Sequence, residues 1–500
     1  MVLQKLRSKF REKAAEYLIP GVSFVVLFAL LLIINTTAFN NGYIYDELLM
    51  VGEKALLVYK GDPPRLENLG FVYPPLIYPF VLVFRNPLIA SAFVGALCAS
   101  ALLFNAAKAR NLKRIPSSAF VAMIAFIIGS PASLFLLAEH QSLCLFSAVF
   151  LQLSYHLYRY CRFHYTLDLL LFGMMTAILF FIRFQAVAII PLLVIPFLFA
   201  RTEISLPEKL SIIIIAFFPS LFFLASWSYL NWIFMKDPFY FFRTWLSAME
   251  LSSSYEATSG SMAGILHYCL GRLKNLFPFI LPVFVSILKQ IKMGYKQCKV
   301  TPSILASPFV IMAVDGMVGV THEHSMAYSV IFIVAAISLW MYFPVEETSR
   351  FLRGLFTASI LASAIAGWIF LDKHPEEKNF IASLVKPTDH TTLTYARALV
   401  HNIDRNGNIL MDDTRGFPVV FVEGTPRRFV LPYQYEYETV LSAPYHFVRY
   451  VIVSSYAGDR VAGRWQGAYY GELQGFKFLG RYGNFILYEK TPVRVASAAP

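Results

Sequence analysis

Long apolar runs separated by short polar segments make up most of the chain. A bilayer is crossed by roughly 17–25 apolar residues in a helix, and the runs predict about eleven membrane spans. Their predicted bounds are 20–38, 87–107, 118–138, 141–158, 167–182, 184–200, 209–235, 264–288, 303–320, 325–343 and 351–371. The pattern therefore predicts an α-helical polytopic membrane protein, with residues 1–371 as its transmembrane domain.

The pattern changes after Leu371, where long apolar runs end. Short strings typical of strands alternate there with helical ones, which predicts a small α/β domain over residues 372–500. The predicted strands are 408–411, 428–431, 449–454, 476–479 and 484–489, and the predicted helices are 391–402 and 436–442. The last two strands read as a hairpin joined at residues 480–483.

Residues 39–85, between the first two spans, carry two shorter patterns. Apolar positions between Asp46 and Tyr59 recur as in an amphipathic helix, which we expect to lie on the membrane surface. The prolines of the following Tyr73–Pro79 stretch suit a surface or re-entrant segment that opens a short helix.

Composition and charge support a membrane protein. The chain is 57% hydrophobic and 15% charged, whereas a soluble domain is roughly a quarter charged. Its net charge of +12 does not indicate nucleic-acid binding, because the basic residues form short clusters between the apolar runs. With the N-terminus in the cytoplasm, the inner loops hold about twice as many Lys and Arg residues as the outer ones. This orientation makes the first run a retained span and places the C-terminal domain outside.

The acid pair Asp46-Glu47, just past the first span, is the first candidate for chemistry. A carboxylate can accept the proton of a hydroxyl that attacks a sugar carbon, while its neighbour orients it or holds a metal. The alternative is a solvated pair at a helix start, where acids suit the helix dipole.

Other polar residues lie at the same predicted outer ends of spans. Arg183, His140, His322 and His324 are candidate ligands of a phosphate, with Arg183 in a tight turn as the alternative. The substrate-binding candidates are Tyr45, Tyr73, Glu139, Glu323 and Asp315. Glu with His suits a divalent metal, but an interfacial polar turn explains them equally well, and the five cysteines lack metal-ligand spacing. Asp412 and Asp413 suit a ligand site or, more simply, a helix cap.

The N-terminal hundred residues resemble the GT-C superfamily of polytopic glycosyltransferases, in its branch of protein O-mannosyltransferases and lipid A aminoarabinose transferases. The resemblance rests on the basic N-terminus, one span, the Asp46-Glu47 pair in the first outer loop, and the Tyr73-Pro74-Pro75-Leu76 string. It implies that Asp46 is the catalytic base, with Glu47 as the second acid. It also implies that basic residues at outer span ends hold the donor's phosphate.

The implied activity is inverting transfer of a hexosyl or pentosyl group from a polyprenyl-phosphate donor to an acceptor hydroxyl at the outer face. The implied partners are that donor, a lipid, polysaccharide or protein acceptor, and membrane lipids, with no nucleic acid. No cofactor is strictly required, and a divalent metal is left open. We expect a bacterial inner (plasma) membrane protein. The alternative is a transporter or flippase of a lipid-linked glycan, although the repeated halves typical of transporters are not visible in the sequence.

Overall fold

The computed structural model describes residues 2–69, 75–183, 186, 188–189, 191–193, 205–241, 262–293, 301–318, 325–342, 349–455 and 458–491. For residues 2–20, 262, 265, 292–293 and 315–318 it describes the backbone alone.

Thirteen helices are described before residue 372. They are α1 (Val2–Asn40), α2 (Asp46–Lys60), α3 (Tyr78–Phe84), α4 (Pro87–Asn111), α5 (Ser117–Gly129), α6 (Pro131–Ala138), α7 (Gln141–Phe163), α8 (Thr166–Ile182), α9 (Leu206–Met235), α10 (Met262–Met293), α11 (Thr301–Val318), α12 (Ser329–Tyr342) and α13 (Arg350–Ile369). Most predicted spans correspond to one of these helices, but α1 begins well before its predicted span and the span at 118–138 is divided between α5 and α6. Most of the span at 184–200 lies outside the described residues.

Five of the described helices are long and apolar enough to cross a membrane, or six if the bent pair α5–α6 counts as one span. The chain is thus a multi-pass membrane protein, while the predicted number of about eleven spans is not confirmed. Several further apolar helices, such as Thr166–Ile182, are shorter than these five.

The run at 118–138 does not form the single straight span that the sequence predicts. Helix α5 ends at Gly129, and Pro131 opens α6 at an angle of 64°. A proline cannot donate the backbone hydrogen bond that continues a helix, but it suits a first helical turn. The bend carries the chain towards Glu139 and His140, at the start of α7.

Helix α2 forms where the apolar pattern predicts it, but its apolar side does not face lipid. Leu48 and Leu49 are fully buried, and they pack in one cluster with Leu393 and the phenylalanines at 417 and 421. Gly52 is so close to Phe421 that an added Cβ would lie 2.7 Å from that ring. We expected lipid to cover the apolar side of α2, but side chains of the C-terminal region cover it instead.

The C-terminal region, residues 372–491, contains a five-stranded sheet. Its strands are β1 (Ile409–Leu410), β2 (Phe429–Val430), β3 (Tyr450–Ser454), β4 (Phe476–Tyr482) and β5 (Phe485–Lys490), in the order β2-β1-β3-β5-β4. Strand β1 is parallel to β2 and β3, whereas β5 is antiparallel to β3 and β4. The predicted hairpin is present, but β4 runs on to Tyr482, and Gly483 makes the tighter turn with φ +57°.

Six helices are described in this region; the first packs against α1 and α6 of the bundle, and the others pack against the sheet or against one another. They are α14 (Pro375–Ser383), α15 (Thr392–His401), α16 (Asp413–Glu423), α17 (Tyr437–Ser442), α18 (Pro444–Phe447) and α19 (Arg460–Arg464). Successive strand residues point to opposite faces, so Ile452 packs with α15 and α16 while Val451 and Val453 pack with α17 and α19. This arrangement brings α15 and α16 against α2.

Candidate functional site

Asp46 is the first residue of α2, at the end of the helix where the amide dipoles favour a negative charge. Three residues of the C-terminal region, Thr392, Glu376 and Arg415, influence its carboxylate. The side chain is exposed to solvent. Asp46 therefore lies at the exposed start of α2, where that helix faces the C-terminal region.

These surroundings change the acidity of Asp46. Desolvation by the surrounding protein and repulsion from Glu376 raise its pKa to about 7, although Thr392 and Arg415 act in the opposite direction. A carboxylate with a pKa near the working pH is suited to accepting a proton from a hydroxyl.

Glu47 points away from Asp46, towards the start of α7. Its Oε1 accepts a hydrogen bond from the Ser142 amide at 2.7 Å, and its Oε2 accepts one from the Ser142 hydroxyl at 2.8 Å. His140 Nδ1 lies 3.1 Å from Oε2. Burial by itself would raise the pKa of Glu47, but His140 and Ser142 outweigh it and hold that pKa below its usual value. Glu47 thus stabilises the N-terminus of α7 as a carboxylate.

Glu139 and Tyr45 form the next contact beside this pair. The fully buried Glu139 accepts a hydrogen bond through Oε2 from the Tyr45 amide at 3.0 Å, and burial raises its pKa to about 8. The Tyr45 ring lies 5.0 Å from the His140 ring, between centroids. The structure therefore brings four predicted residues, Tyr45, Glu47, Glu139 and His140, into one contact network beside Asp46.

Arg183 caps the C-terminal end of α8 at the same end of the bundle. It is buried, and its guanidinium carbon lies 5.3 Å from the centre of the Tyr328 ring. Its charge also opposes the rise that burial causes in the pKa of Tyr45. Glu377 fixes the turn that carries Tyr328, because its carboxylate accepts hydrogen bonds from the Ser325 hydroxyl at 2.6 Å and the Ala327 amide at 3.1 Å.

The sequence analysis did not identify three residues that influence the pKa of Asp46. They are Thr392, Glu376 and Arg415. They follow the last span and belong to α15, α14 and α16 respectively. Glu376 also accepts a hydrogen bond from the Tyr43 hydroxyl at 3.0 Å. Glu376 lies 333 positions after Tyr43 in the chain. Nothing in the sequence indicates that the two are in contact, and only the folded structure shows it.

A second missed cluster lies further along α2. Lys54 Nζ is 2.6 Å from Asp413 Oδ2 and 3.3 Å from Glu53 Oε2. Next to Asp413, the Asp412 carboxylate accepts hydrogen bonds from the amides of Thr414 and Arg460. The capping interpretation of Asp412 is confirmed, while Asp413 connects the C-terminal region to α2.

The remaining predicted site residues are outside what the structure describes. Tyr73, His322, Glu323 and His324 are not among the described residues, and Asp315 belongs to α11 with its backbone alone described. Within the described ranges, no three His, Cys, Asp or Glu side chains gather as a metal site would need.

No family model and no curated protein matches the chain. Several solved structures superpose on it, and two of them are described here. ArnT from Cupriavidus metallidurans bound to undecaprenyl phosphate has a TM-score of 0.53 at 9% identity, over 95% of this chain and 99% of that one. The archaeal oligosaccharyltransferase AglB from Archaeoglobus fulgidus, in complex with an inhibitory peptide and a dolichol-phosphate, has a TM-score of 0.44 at 11% identity, over 94% and 75%. The likeness to ArnT confirms, at the level of the fold, the resemblance stated for the N-terminal hundred residues, and the chain folds like that membrane protein.

Proposed function

We propose that this protein transfers a sugar from a polyprenyl-phosphate donor to an acceptor hydroxyl, with Asp46 as the general base. The observation that carries the proposal is the position of Asp46, an exposed carboxylate at the start of α2 beside the contacts of Tyr45 with Glu139 and of Glu47 with His140. Its pKa, raised to about 7, supports the same role. At neutral pH a substantial fraction is ionised and able to accept a proton.

The step is a single displacement. The acceptor oxygen forms a bond to the anomeric carbon as its proton moves to Asp46, and the bond from that carbon to the phosphate oxygen breaks. The carrier phosphate leaves with an added negative charge, which fixed cations are suited to stabilise. Attack opposite the leaving group inverts the anomeric centre.

Arg183 and His140 support the phosphate-binding part of the proposal. Both are buried at the end of the bundle where Asp46 lies, and both are near Tyr45. A guanidinium binds phosphate oxygens through two parallel hydrogen bonds. We propose that Arg183 binds the phosphate of the donor, and that His322 and His324 contribute to the same binding.

The contacts of Glu47 favour a positioning role over a second proton transfer. Both of its oxygens are occupied by Ser142 and His140. By holding α7 against the start of α2, Glu47 fixes where Asp46 and His140 lie. The carrier class is supported by the structural likeness to ArnT, which was solved bound to undecaprenyl phosphate.

The decisive experiment compares Asp46→Asn with the wild type in detergent micelles, using polyprenyl-phosphate hexose and pentose donors. We expect Asp46→Asn to lose transfer by a factor of at least about 100, within the range attributed to a general base, while still binding the donor. The matched control is Asp372→Asn, since Asp372 is an exposed acid paired with Lys378. Full transfer by Asp46→Asn would refute the assignment. In proteoliposomes, flipping of a fluorescently labelled polyprenyl-phosphate sugar between leaflets without transfer would favour the transporter.

A further inference from the structure

The end of the helical bundle away from Asp46 carries a concentration of positive charge. Helix α7 starts beside the candidate site and has 23 residues, so its last turn lies roughly 34 Å from its first. At that far end, the segments 108–118 and 155–168 join α4 to α5 and α7 to α8, and they contain a single carboxylate, Asp168. Their cationic side chains are Lys108, Arg110, Lys113, Arg114, Arg159 and Arg162.

Two of these arginines, one from each segment, converge on the ring of Tyr158. The guanidinium carbon of Arg114 lies 5.9 Å from the centre of that ring, and the guanidinium carbon of Arg162 lies 6.0 Å from it. Arg162 also donates to the Tyr158 hydroxyl at 2.5 Å, while Arg114 donates to the Met341 carbonyl at 3.3 Å. The protein therefore holds both guanidiniums close to one buried ring, within reach of one small anion.

The charge of this arginine pair is not neutralised within the part of the chain that the structure describes. Asp168 is already paired, because its carboxylate lies 3.2 Å from Arg159 Nε and 2.9 Å from His156 Nδ1. Arg114 and Arg162 contact neutral groups instead. Membrane topology requires only that a loop be positive, whereas two guanidiniums fixed at one ring present the forked donors that bind phosphate oxygens.

The side chains around the pair indicate the depth of lipid headgroups. Phe163 and Tyr165 follow Arg162 directly, are 48% and 55% exposed, and stack with their ring centres 5.7 Å apart. Leu112, just before Arg114 in the other segment, is 56% exposed. Exposed aromatic rings at the ends of membrane helices are typical of the interface between lipid and water. A phosphate bound at this depth belongs to a phospholipid.

We propose that Arg114 and Arg162, which converge on Tyr158, bind the phosphate of an anionic phospholipid in the leaflet at this end of the bundle. The site is separate from Asp46, and the proposal does not depend on the proposed function. Basic pockets between transmembrane helices bind anionic headgroups in this way. The surrounding cations give selectivity, because they attract an anionic headgroup and repel the ammonium group of a zwitterionic one.

The test titrates the full chain in detergent with phosphatidylglycerol or phosphatidylcholine of identical acyl chains and counts bound lipid by native mass spectrometry. We expect the wild type to bind phosphatidylglycerol more tightly. Arg114→Gln/Arg162→Gln binds it roughly thirtyfold more weakly, the loss expected for two basic residues at an anionic surface, whereas Arg114→Lys/Arg162→Lys retains most of the affinity. The matched control, Arg405→Gln/Arg464→Gln, removes two exposed arginines of the C-terminal region and leaves the affinity unchanged.

Thermal melting separates lost binding from lost folding. A ligand that binds the folded state raises the melting temperature, so each variant is compared with itself, with and without phosphatidylglycerol. We expect the rise to be present in the wild type and the lysine variant and absent in the glutamine variant. Equal affinity of the wild type for both lipids overturns the proposal, as does unchanged affinity in the glutamine variant. Inorganic phosphate that stabilises the wild type as much as phosphatidylglycerol does would assign the site to a dissolved anion and also overturn it.

Discussion

Lys54→Met is the sharpest test of the contact between α2 and the C-terminal region. Lys54 Nζ lies 2.6 Å from Asp413 Oδ2 and 3.3 Å from Glu53 Oε2, and the three side chains are 14%, 9% and 0% exposed respectively. Burial raises the pKa of Glu53 to about 8, even though Lys54 acts in the opposite direction. Glu53 is therefore largely protonated at pH 7, and the substitution leaves one uncompensated charge, on Asp413.

The cost follows from that single charge. Removing one partner of a buried ion pair typically costs about 3–5 kcal/mol. We expect a cost at the lower end of this range, about 3 kcal/mol, because the Asp413 carboxylate keeps some contact with water and Glu53 is uncharged. About 3 kcal/mol corresponds to an increase of roughly a hundredfold in the opened fraction.

Amide hydrogen exchange in detergent at pH 7 measures that opening directly. We expect the peptides covering α2 to exchange about a hundredfold faster in Lys54→Met. Lys60→Met, at the exposed end of the same helix, leaves exchange unchanged. Adding Asp413→Asn to Lys54→Met removes the uncompensated charge and restores most of the protection. A double variant that exchanges as fast as Lys54→Met would refute the reasoning.

Three further predictions concern the surroundings of Asp46. Glu376→Gln removes a carboxylate that raises the pKa of Asp46. The base is then ionised at lower pH, so the acid limb of the kcat/KM profile moves down; an upward or absent shift contradicts the assignment. Glu47→Gln weakens the cap on α7 by about 1 kcal/mol, measured as a lower melting temperature that a Glu67→Gln control does not show. Gly52→Ala places a Cβ 2.7 Å from the Phe421 ring and destabilises the docking of α2 by about 1–3 kcal/mol; unchanged thermal stability would contradict that packing.

The pattern of apolar and polar residues was sufficient to predict those helices and strands whose bounds depend on neighbouring residues. The apolar run at 87–107 predicted the start of helix Pro87–Asn111, where Asn86 accepts hydrogen bonds from the first helical amides and Pro87 opens the helix. Strand β3 and helix α15 also lie within a residue of their predicted bounds. Such elements depend on periodicity and caps, both of which are written in neighbouring residues.

Contacts between residues that are far apart in the chain could not be predicted in this way. The apolar side of α2 was assigned to lipid because an amphipathic pattern gives the position of a buried face and not the material that covers it. Leu393 and Phe421 cover it, from residues more than 300 positions later. Glu47 was expected to assist Asp46 as a second acid, but successive residues of a helix point about 100° apart, and Glu47 contacts Ser142 and His140 instead.

The sequence by itself determined a polytopic helical protein with an α/β region after the last span, and it singled out Asp46. Hydropathy, periodicity and an acid next to a span are local properties, and the backbone follows them without distant contacts. Only the tertiary structure decided that Glu47 holds α7, that α2 lies beneath the C-terminal region, and that Thr392, Glu376 and Arg415 surround Asp46. The acidity of a carboxylate depends on the charges, donors and desolvation around it, and these come from segments that only folding brings together.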